Sequence, residues 1–249
     1  MKICVVQSRP VIGDIESNII NHKRLIRLAI DQDAGIVIFP ELSLTGYQPQ
    51  LAKQLAVNEM DNRLNDFQQI SDTAKIVIGV GIPVKHNSGV CIGMVIFQPN
   101  QSRKVYAKKY LHSDEDPFFV SGENYTLSGQ DKIALAICYE LSVPEHSANA
   151  FENGAKIYIA SVAKPAAGVE KASETLAGIA RKYTMTVLMS NCLGDCYDCE
   201  CSGQSAIWDS KGLLCAQLNN ADEGLLILDT GTGEIIKKQI DELIPNKAK

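Results

Sequence analysis

No block of like charge, no long apolar run and no low-complexity stretch occurs in this chain of 249 residues. Its 24 Lys and Arg stand against 29 Asp and Glu, a net −5, with no basic cluster. That excludes the phosphate-neutralising groove of a nucleic-acid binder and the basic face of a membrane-surface protein. The longest apolar stretch, residues 76–84, holds two glycines and a proline and falls far short of the roughly 20 residues that cross a bilayer. After Lys2 the apolar run is broken at Gln7, Ser8 and Arg9, too early for the core of a secretory signal. The reading is a cytoplasmic protein, in which cysteines stay reduced. With 45% hydrophobic and 21% charged residues, disorder, collagen and coiled coil do not fit, and the chain can bury a sizeable core. No linker, composition shift or short repeat divides it, so residues 1–249 read as a single domain.

What is present is an alternation of strands and helices. Residues 2–8 read as a buried strand, and Asp14 caps a helix with Ile15, Ile19, Ile26 and Ile30 on one face. Residues 36–41 form a second apolar strand ending in Pro40-Glu41, and residues 62–74 a second helix. Three strands follow, 76–84, 90–98 and 104–109, joined by turn signals. The second half repeats the rhythm: strand 132–139, helix 144–153, strand 156–162, helix 171–183, strand 187–191, a hairpin about Asp209-Ser210-Lys211-Gly212, and strand 224–229 before a polar tail. Two βα-rich halves with antiparallel extensions predict an α/β protein of two sheets packed face to face with helices outside.

Chemistry-bearing residues stand at the ends of apolar strands, where side chains reach a sheet edge and can converge. Cys138 ends the run 133–138 and is followed by a turn and a helix near Pro144. That geometry exposes a sulfur and offers backbone N–H groups to an oxyanion. Glu41 ends another apolar strand, where burial raises a carboxyl pKa toward that of a general base. Lys108 and Lys109 end the strand at 104–109. In an extended segment successive side chains face opposite ways, so only one of the pair can meet the sulfur.

Order and context join these signals. Pro40-Glu41 with Leu44-Thr45-Gly46-Tyr47, then Tyr106-Ala107-Lys108-Lys109-Tyr110-Leu111, then Ile137-Cys138-Tyr139-Glu140 with Pro144-Glu145 resemble the three signatures of the carbon–nitrogen hydrolase (nitrilase) superfamily. Softer matches follow at residues 190–194, at 203–205 and at the 209–212 turn. The resemblance implies a four-layer α-β-β-α sandwich and a small-amide or carbamoyl hydrolase, with Glu41 as base, Cys138 as nucleophile and Lys108 as the catalytic lysine. Tyr110 stands where the family commonly has His, which leaves Lys109 a rival to Lys108. The segment Asp114-Glu115-Asp116-Pro117-Phe118-Phe119 resembles the loop carrying the family's second glutamate, placed at Glu115 with Asp116 as rival. Tyr47, Tyr139 and Glu140 are read as further substrate-positioning residues. The resemblance implies no metal or organic cofactor, a small-molecule partner and a homodimer. Residues 160–165 lack the Asn-Trp-Pro-like motif of many members, which leaves the substrate open.

Eight cysteines ask for an account. Cys4, Cys91 and Cys215 fall in predicted strands and read as core. Cys192, Cys196, Cys199 and Cys201 crowd ten residues, with spacings that partly fit a zinc site but no pair of separated Cys-x2-Cys hooks; the resemblance implies a loop near the active-site mouth, where substrate-lining thiols or accidental cysteines are the other readings. Two further readings stand beside the Glu-Lys-Cys scheme. One is a Cys-His hydrolase using His112 or His146, both read as surface residues. The other is a catalytically silent scaffold, against which intact Glu41, Lys108 and Cys138 argue.

Overall fold

The computed structural model describes residues 1–122, 126–127 and 132–240. In chain order its strands are β1 (Lys2–Gln7), β2 (Ile36–Ile38), β3 (Val77–His86), β4 (Gly89–Phe97), β5 (Lys104–Ala107), β6 (Thr126–Leu127), β7 (Ile133–Ile137), β8 (Ile157–Val162) and β9 (Thr186–Asn191). They continue as β10 (Leu193–Cys196), β11 (Cys199–Ser202), β12 (Ala206–Trp208), β13 (Leu214–Gln217), β14 (Glu223–Asp229) and β15 (Ile235–Ile240). The helices are α1 (Ile15–Ile30), α2 (Ala52–Leu55), α3 (Asn65–Ala74), α4 (Pro144–Glu152) and α5 (Ala166–Tyr183).

One sheet has the order β15-β14-β1-β2-β3-β4-β5 and the other β13-β12-β9-β8-β7-β6. Each has a parallel centre, β1-β2-β3 in the first and β7-β8-β9 in the second, flanked by antiparallel strands. Alternation along each strand sorts the core into layers. Ile3, Val5, Ile38, Ile92 and Met94 of the first sheet pack on Leu135, Ile137, Ile159 and Leu188 of the second. The opposite face of the first sheet packs on Leu25, Ile26 and Ala29 of α1 and Phe67 of α3. The outer face of the second packs on Val169, Ala172 and Leu176 of α5 and Ala150 of α4. The fold is a four-layer α-β-β-α sandwich. Burying a Leu or Ile stabilises by about 1.5–3 kcal/mol, so these three layers supply the main driving force.

Asp14 caps α1 as its position predicts, accepting the Ser17 N–H at 3.0 Å. Several boundaries differ from the pattern. β2 stops at Ile38, leaving Glu41 in the turn that follows. α5 begins at Ala166, five residues before the predicted start, since Pro165 can precede a first turn. The segment after β14 is not simply a polar tail: residues 235–240 form β15 on the sheet edge, the remainder lying outside the described residues. Residues 193–202 form a β10-β11 hairpin. Cys215 lies in β13 but is exposed, because β13 is an edge strand, which corrects its core assignment; Cys4 and Cys91 are buried. Among the described residues no helix is long and apolar enough to cross a membrane.

Candidate active site

Three strand ends of the two facing sheets bring Glu41, Lys108 and Cys138 together. Glu41 sits in the turn after β2, followed by Leu42 with φ +50°. The Ser43 N–H donates to Pro40 O at 3.2 Å and the Leu44 N–H to Gly81 O at 2.9 Å. Gly81 is required here: a Cβ would stand 2.4 Å from both Leu42 N and Pro40 O. Beneath the turn, buried His22 of α1 places Nδ1 2.7 Å from Asn18 O and Nε2 2.9 Å from Ser43 Oγ. A carbonyl only accepts, so Nδ1 carries the proton and Nε2 accepts from the Ser43 hydroxyl. Burial lowers the His22 pKa to about 3, the bond to Asn18 opposing, so the ring stays neutral.

Lys108 follows β5, its N–H donating to Ile92 O at 2.9 Å. Its side chain is fully buried, and Nζ donates to Glu41 Oε1 at 2.9 Å and to Glu115 Oε1 at 2.6 Å. Burial alone would lower its pKa, but the negative charges of Glu41 and Glu115 outweigh it and hold the ammonium charged. Glu115 also accepts the Tyr47 hydroxyl at 2.9 Å on Oε1 and the His112 N–H at 2.8 Å on Oε2. Lys109 points outward, its ammonium 5.4 Å from the Tyr110 ring centroid. Asp116 is exposed. The geometry therefore puts Lys108 and Glu115 inside, and their rivals outside.

Cys138 stands at the end of β7 with φ +44°, a left-handed conformation that costs a non-glycine residue of order 1–3 kcal/mol and persists only where the surroundings impose it. Glu140 imposes it. Its Oε2 accepts the Ile137 N–H at 2.8 Å and the Tyr106 hydroxyl at 2.6 Å, and its Oε1 accepts the Lys109 N–H at 2.7 Å. Both oxygens are thus occupied inside the protein, and the buried carboxylate links the Cys138 turn to the chain at Tyr106 and Lys109. Tyr139 is part-exposed and packs edge-on against the His112 ring at 5.1 Å. Burial and the Glu41 charge raise the Cys138 pKa to about 11, with Lys164 and Lys108 opposing, so the thiol is protonated at neutral pH. Burial raises the Glu41 pKa as well, with Lys108 opposing and Glu115 adding. Glu41 Oε2 is buried without a nitrogen or oxygen donor among the described residues, and the Cys138 thiol interacts with the same carboxylate.

The profile of the carbon–nitrogen hydrolase family matches residues 2–237. The chain belongs to that family. It is 24% identical to the "Hydrolase in agr operon" of Staphylococcus aureus over 98% of this chain and 96% of that protein. It is 21% identical to the glutamine-dependent NAD(+) synthetase of Thermotoga maritima over 95% of this chain, which spans 43% of the synthetase. Among solved structures, the amidase of Nesterenkonia sp. AN1 superposes with a TM-score of 0.83 over 92% of both chains at 22% identity, in a form carrying acrylamide at its active-site cysteine. Another form of that amidase binds butyramide. These superpositions show the shared sandwich fold.

In this carbon–nitrogen hydrolase the loop cysteines have specific places. Cys196 and Cys199 are joined by a disulfide across the tip of the β10-β11 hairpin, against the expectation that all thiols are free. Cys192 and Cys201 are buried beside Tyr47 and Ala163, and contact with Cys201 and burial raise the Cys192 pKa. Among the described residues no three His, Cys, Asp or Glu side chains converge as a metal site would need.

His112 is exposed and bonded to Asp114, as a surface residue. His146 is not: it is buried, Nε2 donating to the Tyr106 hydroxyl at 3.0 Å and Nδ1 accepting from Tyr158 at 2.9 Å, because α4 packs it behind Glu140. Sequence reasoning missed His22, although a histidine in phase with Ile15, Ile19 and Ile26 signals a polar group on a buried helix face. It also assigned no role to Asn191, whose side-chain amide holds the backbone of Lys164 at both N–H and C=O.

Proposed function

We propose that this carbon–nitrogen hydrolase, as a single domain over residues 1–249, hydrolyses a small amide or carbamoyl compound through a thioester on Cys138. The observation that carries the reading is the pairing of a protonated thiol in a strained turn with a buried carboxylate that has one oxygen engaged by Lys108 and the other without a nitrogen or oxygen donor among the described residues. Glu41 takes the thiol proton and the sulfur attacks the carbonyl carbon. Lys108 and the Tyr139 N–H stabilise the oxyanion. As the tetrahedral intermediate collapses, the C–N bond breaks, and Glu41 gives the proton to the departing ammonia or amine. Water deprotonated by Glu41 then attacks the thioester, releasing the acid and regenerating the thiol. Glu115 and Tyr47 keep Lys108 in place throughout.

Two carboxylates flanking one buried lysine give a nucleophile site its fixed positive charge without a metal ion, and the chemistry above calls on no cofactor. A Cys-His scheme has less support: His146 has both ring nitrogens bound to tyrosines, and His112 is tied to Asp114. A cytoplasmic homodimer is the assembly that the family resemblance implies, and light scattering of the purified protein tests its stoichiometry. The deciding experiment is ammonia release from a panel of small amides, carbamoyl compounds and nitriles. Turnover with wild type, a mass increase on Cys138 by the acyl group, and loss of both in Cys138→Ala are expected. A fully active Cys138→Ala protein overturns the scheme.

A further inference from the structure

The β10-β11 hairpin turns four of the eight cysteines onto one face. Cys196 stands opposite Cys199 and Cys201 opposite Gly194, and the Gly203 N–H donates to Cys192 O at 2.9 Å, which carries the ladder on to Cys192. Residues two apart along a strand share a face, so Cys192, Cys196, Cys199 and Cys201 all pack toward Tyr47 and Ala163. The other face places Asp195 directly opposite Glu200, and like charges in that position push two strands apart. Asp198 adds an exposed acid between them in the chain. Against this repulsion the Cys196–Cys199 disulfide closes the tip.

The tip holds part of the candidate active site. The Tyr197 N–H donates to Tyr47 O at 2.9 Å, and Gln50 Nε2 donates to the Tyr197 hydroxyl at 3.0 Å. Tyr47 in turn gives its hydroxyl to Glu115 Oε1 at 2.9 Å, the oxygen that also accepts Lys108 Nζ at 2.6 Å. The base of the hairpin is anchored separately, by the Leu193 N–H on Ser8 O at 2.9 Å and the Ser202 N–H on Lys164 O at 3.1 Å. The tip can therefore open while the base stays in place. Cys199 is half-buried whereas Cys192, Cys196 and Cys201 are buried, so Cys199 Sγ is the sulfur that an outside thiolate reaches. Disulfides accessible in this way are the labile and regulatory ones.

We propose that Cys196–Cys199 is a redox modification site, reduced by a small dithiol, and that its reduction lowers turnover by loosening the hold of the hairpin tip on Tyr47. A thiolate of the dithiol attacks Cys199 Sγ. The mixed disulfide forms as the Cys196–Cys199 bond breaks, and Cys196 leaves as a thiolate that takes a proton from water. The second thiol of the reductant then attacks the reductant's own sulfur in the mixed disulfide, closing the reductant's internal disulfide and releasing Cys199 as a thiol. Two electrons and two protons pass to the protein, and the oxidised form of the same couple reverses the step. The effect on turnover rests on the amide-hydrolase reading above; the reduction itself does not.

The test equilibrates the whole protein with reduced and oxidised dithiothreitol at stepped ratios. Acid-quenched samples are alkylated and mapped by mass spectrometry, with hydrogen exchange followed in the peptide 193–202 and ammonia release measured on the amide panel. Cys196 and Cys199 are expected to become reduced together while Cys138 stays a free thiol. Exchange at Tyr197 should quicken and kcat fall by roughly 10- to 100-fold in step, with a smaller change in KM and recovery on reoxidation. The double variant Cys196→Ser with Cys199→Ser should keep the low kcat at every ratio, and adding Asp195→Lys, which faces Glu200, should restore part of it. A disulfide that resists excess dithiothreitol in the folded protein, one whose reduction leaves exchange and kcat unchanged, or a double serine variant with wild-type kcat overturns the inference. Absence of ammonia release at every ratio, with exchange at Tyr197 still following the ratio, defeats the amide-hydrolase reading and leaves the redox site standing.

Discussion

The Glu140 carboxylate accepts the Lys109 N–H at 2.7 Å, tying the turn that carries Cys138 to the strand end that carries Lys108. Cys138 belongs to one sheet and Lys108 to the other, so this contact, with the Ile137 and Tyr106 bonds to the second oxygen, holds the two strand ends in register. Glu140→Gln places an amide N–H against a backbone or tyrosine donor and leaves a buried polar group unsatisfied, at a cost of about 1–3 kcal/mol. A lowered Tm and a kcat reduced about 100-fold with a smaller change in KM are expected. Unchanged kcat would show that the turn holds its shape without Glu140.

Lys108 and Lys109 differ sharply in what their removal costs. Lys108→Ala strands Glu41 and Glu115 as two buried carboxylates without a cation, a loss of about 3–5 kcal/mol. Lys109→Ala removes a surface side chain and should change stability by no more than about 0.5 kcal/mol. Urea unfolding of the two variants checks the contrast, and equal effects would refute the inward placement of Lys108.

The raised pKa of Cys138 has a kinetic consequence. Thiolate, the species that alkylates, gains population only as pH approaches about 11. The rate of iodoacetamide labelling at Cys138, followed by peptide mass spectrometry, should therefore keep climbing between pH 8 and 11. Exposed Cys215 is labelled alongside it, so Cys215→Ser gives the cleaner measurement. A labelling rate at Cys138 that levels off near pH 8 would mean the thiol is activated in the resting protein.

Neutral, buried His22 ties stability to acid. Its folded pKa of about 3 lies below the ordinary value of 6.5, so below pH 6.5 the unfolded chain binds a proton that the folded chain refuses. Its contribution is present above pH 6.5 and is lost progressively as pH falls toward 3, at up to about 1.4 kcal/mol per unit. His22→Gln should flatten this acid limb in denaturant titrations at pH 7, 6 and 5. An acid limb as steep as in wild type would assign it to other groups.

Gly81→Ala tests the Glu41 turn without touching a charged group. Its new Cβ would meet backbone atoms at 2.4 Å, which cannot rotate away, so the turn must move. Loss of most activity is expected, with a lowered Tm. Wild-type kcat in a well-folded Gly81→Ala protein would refute the need for close approach.

Much of this was legible because strand ends are where apolar periodicity stops and chemistry begins. Glu41, Lys108 and Cys138 each follow a run of buried residues, and the sandwich follows from the same runs. The β10-β11 hairpin escaped notice because Leu-Gly-Asp-Cys-Tyr-Asp-Cys-Glu-Cys-Ser offers little β-propensity and no alternating apolar face. β15 was hidden by Lys237 and Lys238, which suit an edge strand but read as a polar tail. The role of Glu140 could not be read in sequence, since its partners at Tyr106 and Lys109 are brought near only by the stacking of the sheets.

The pairing of β1 with β14 sets a timetable for synthesis. β1 lies inside its sheet, yet Lys2 pairs with Asp229, so its second neighbour is among the last strands made. A growing chain keeps β1 as an open edge until then, a template for wrong pairing. Ribosome-bound chains stopped before residue 223 should be protease-sensitive and inactive although Glu41, Lys108 and Cys138 are already present, whereas chains with residues 1–240 clear of the exit tunnel acquire resistance and activity together.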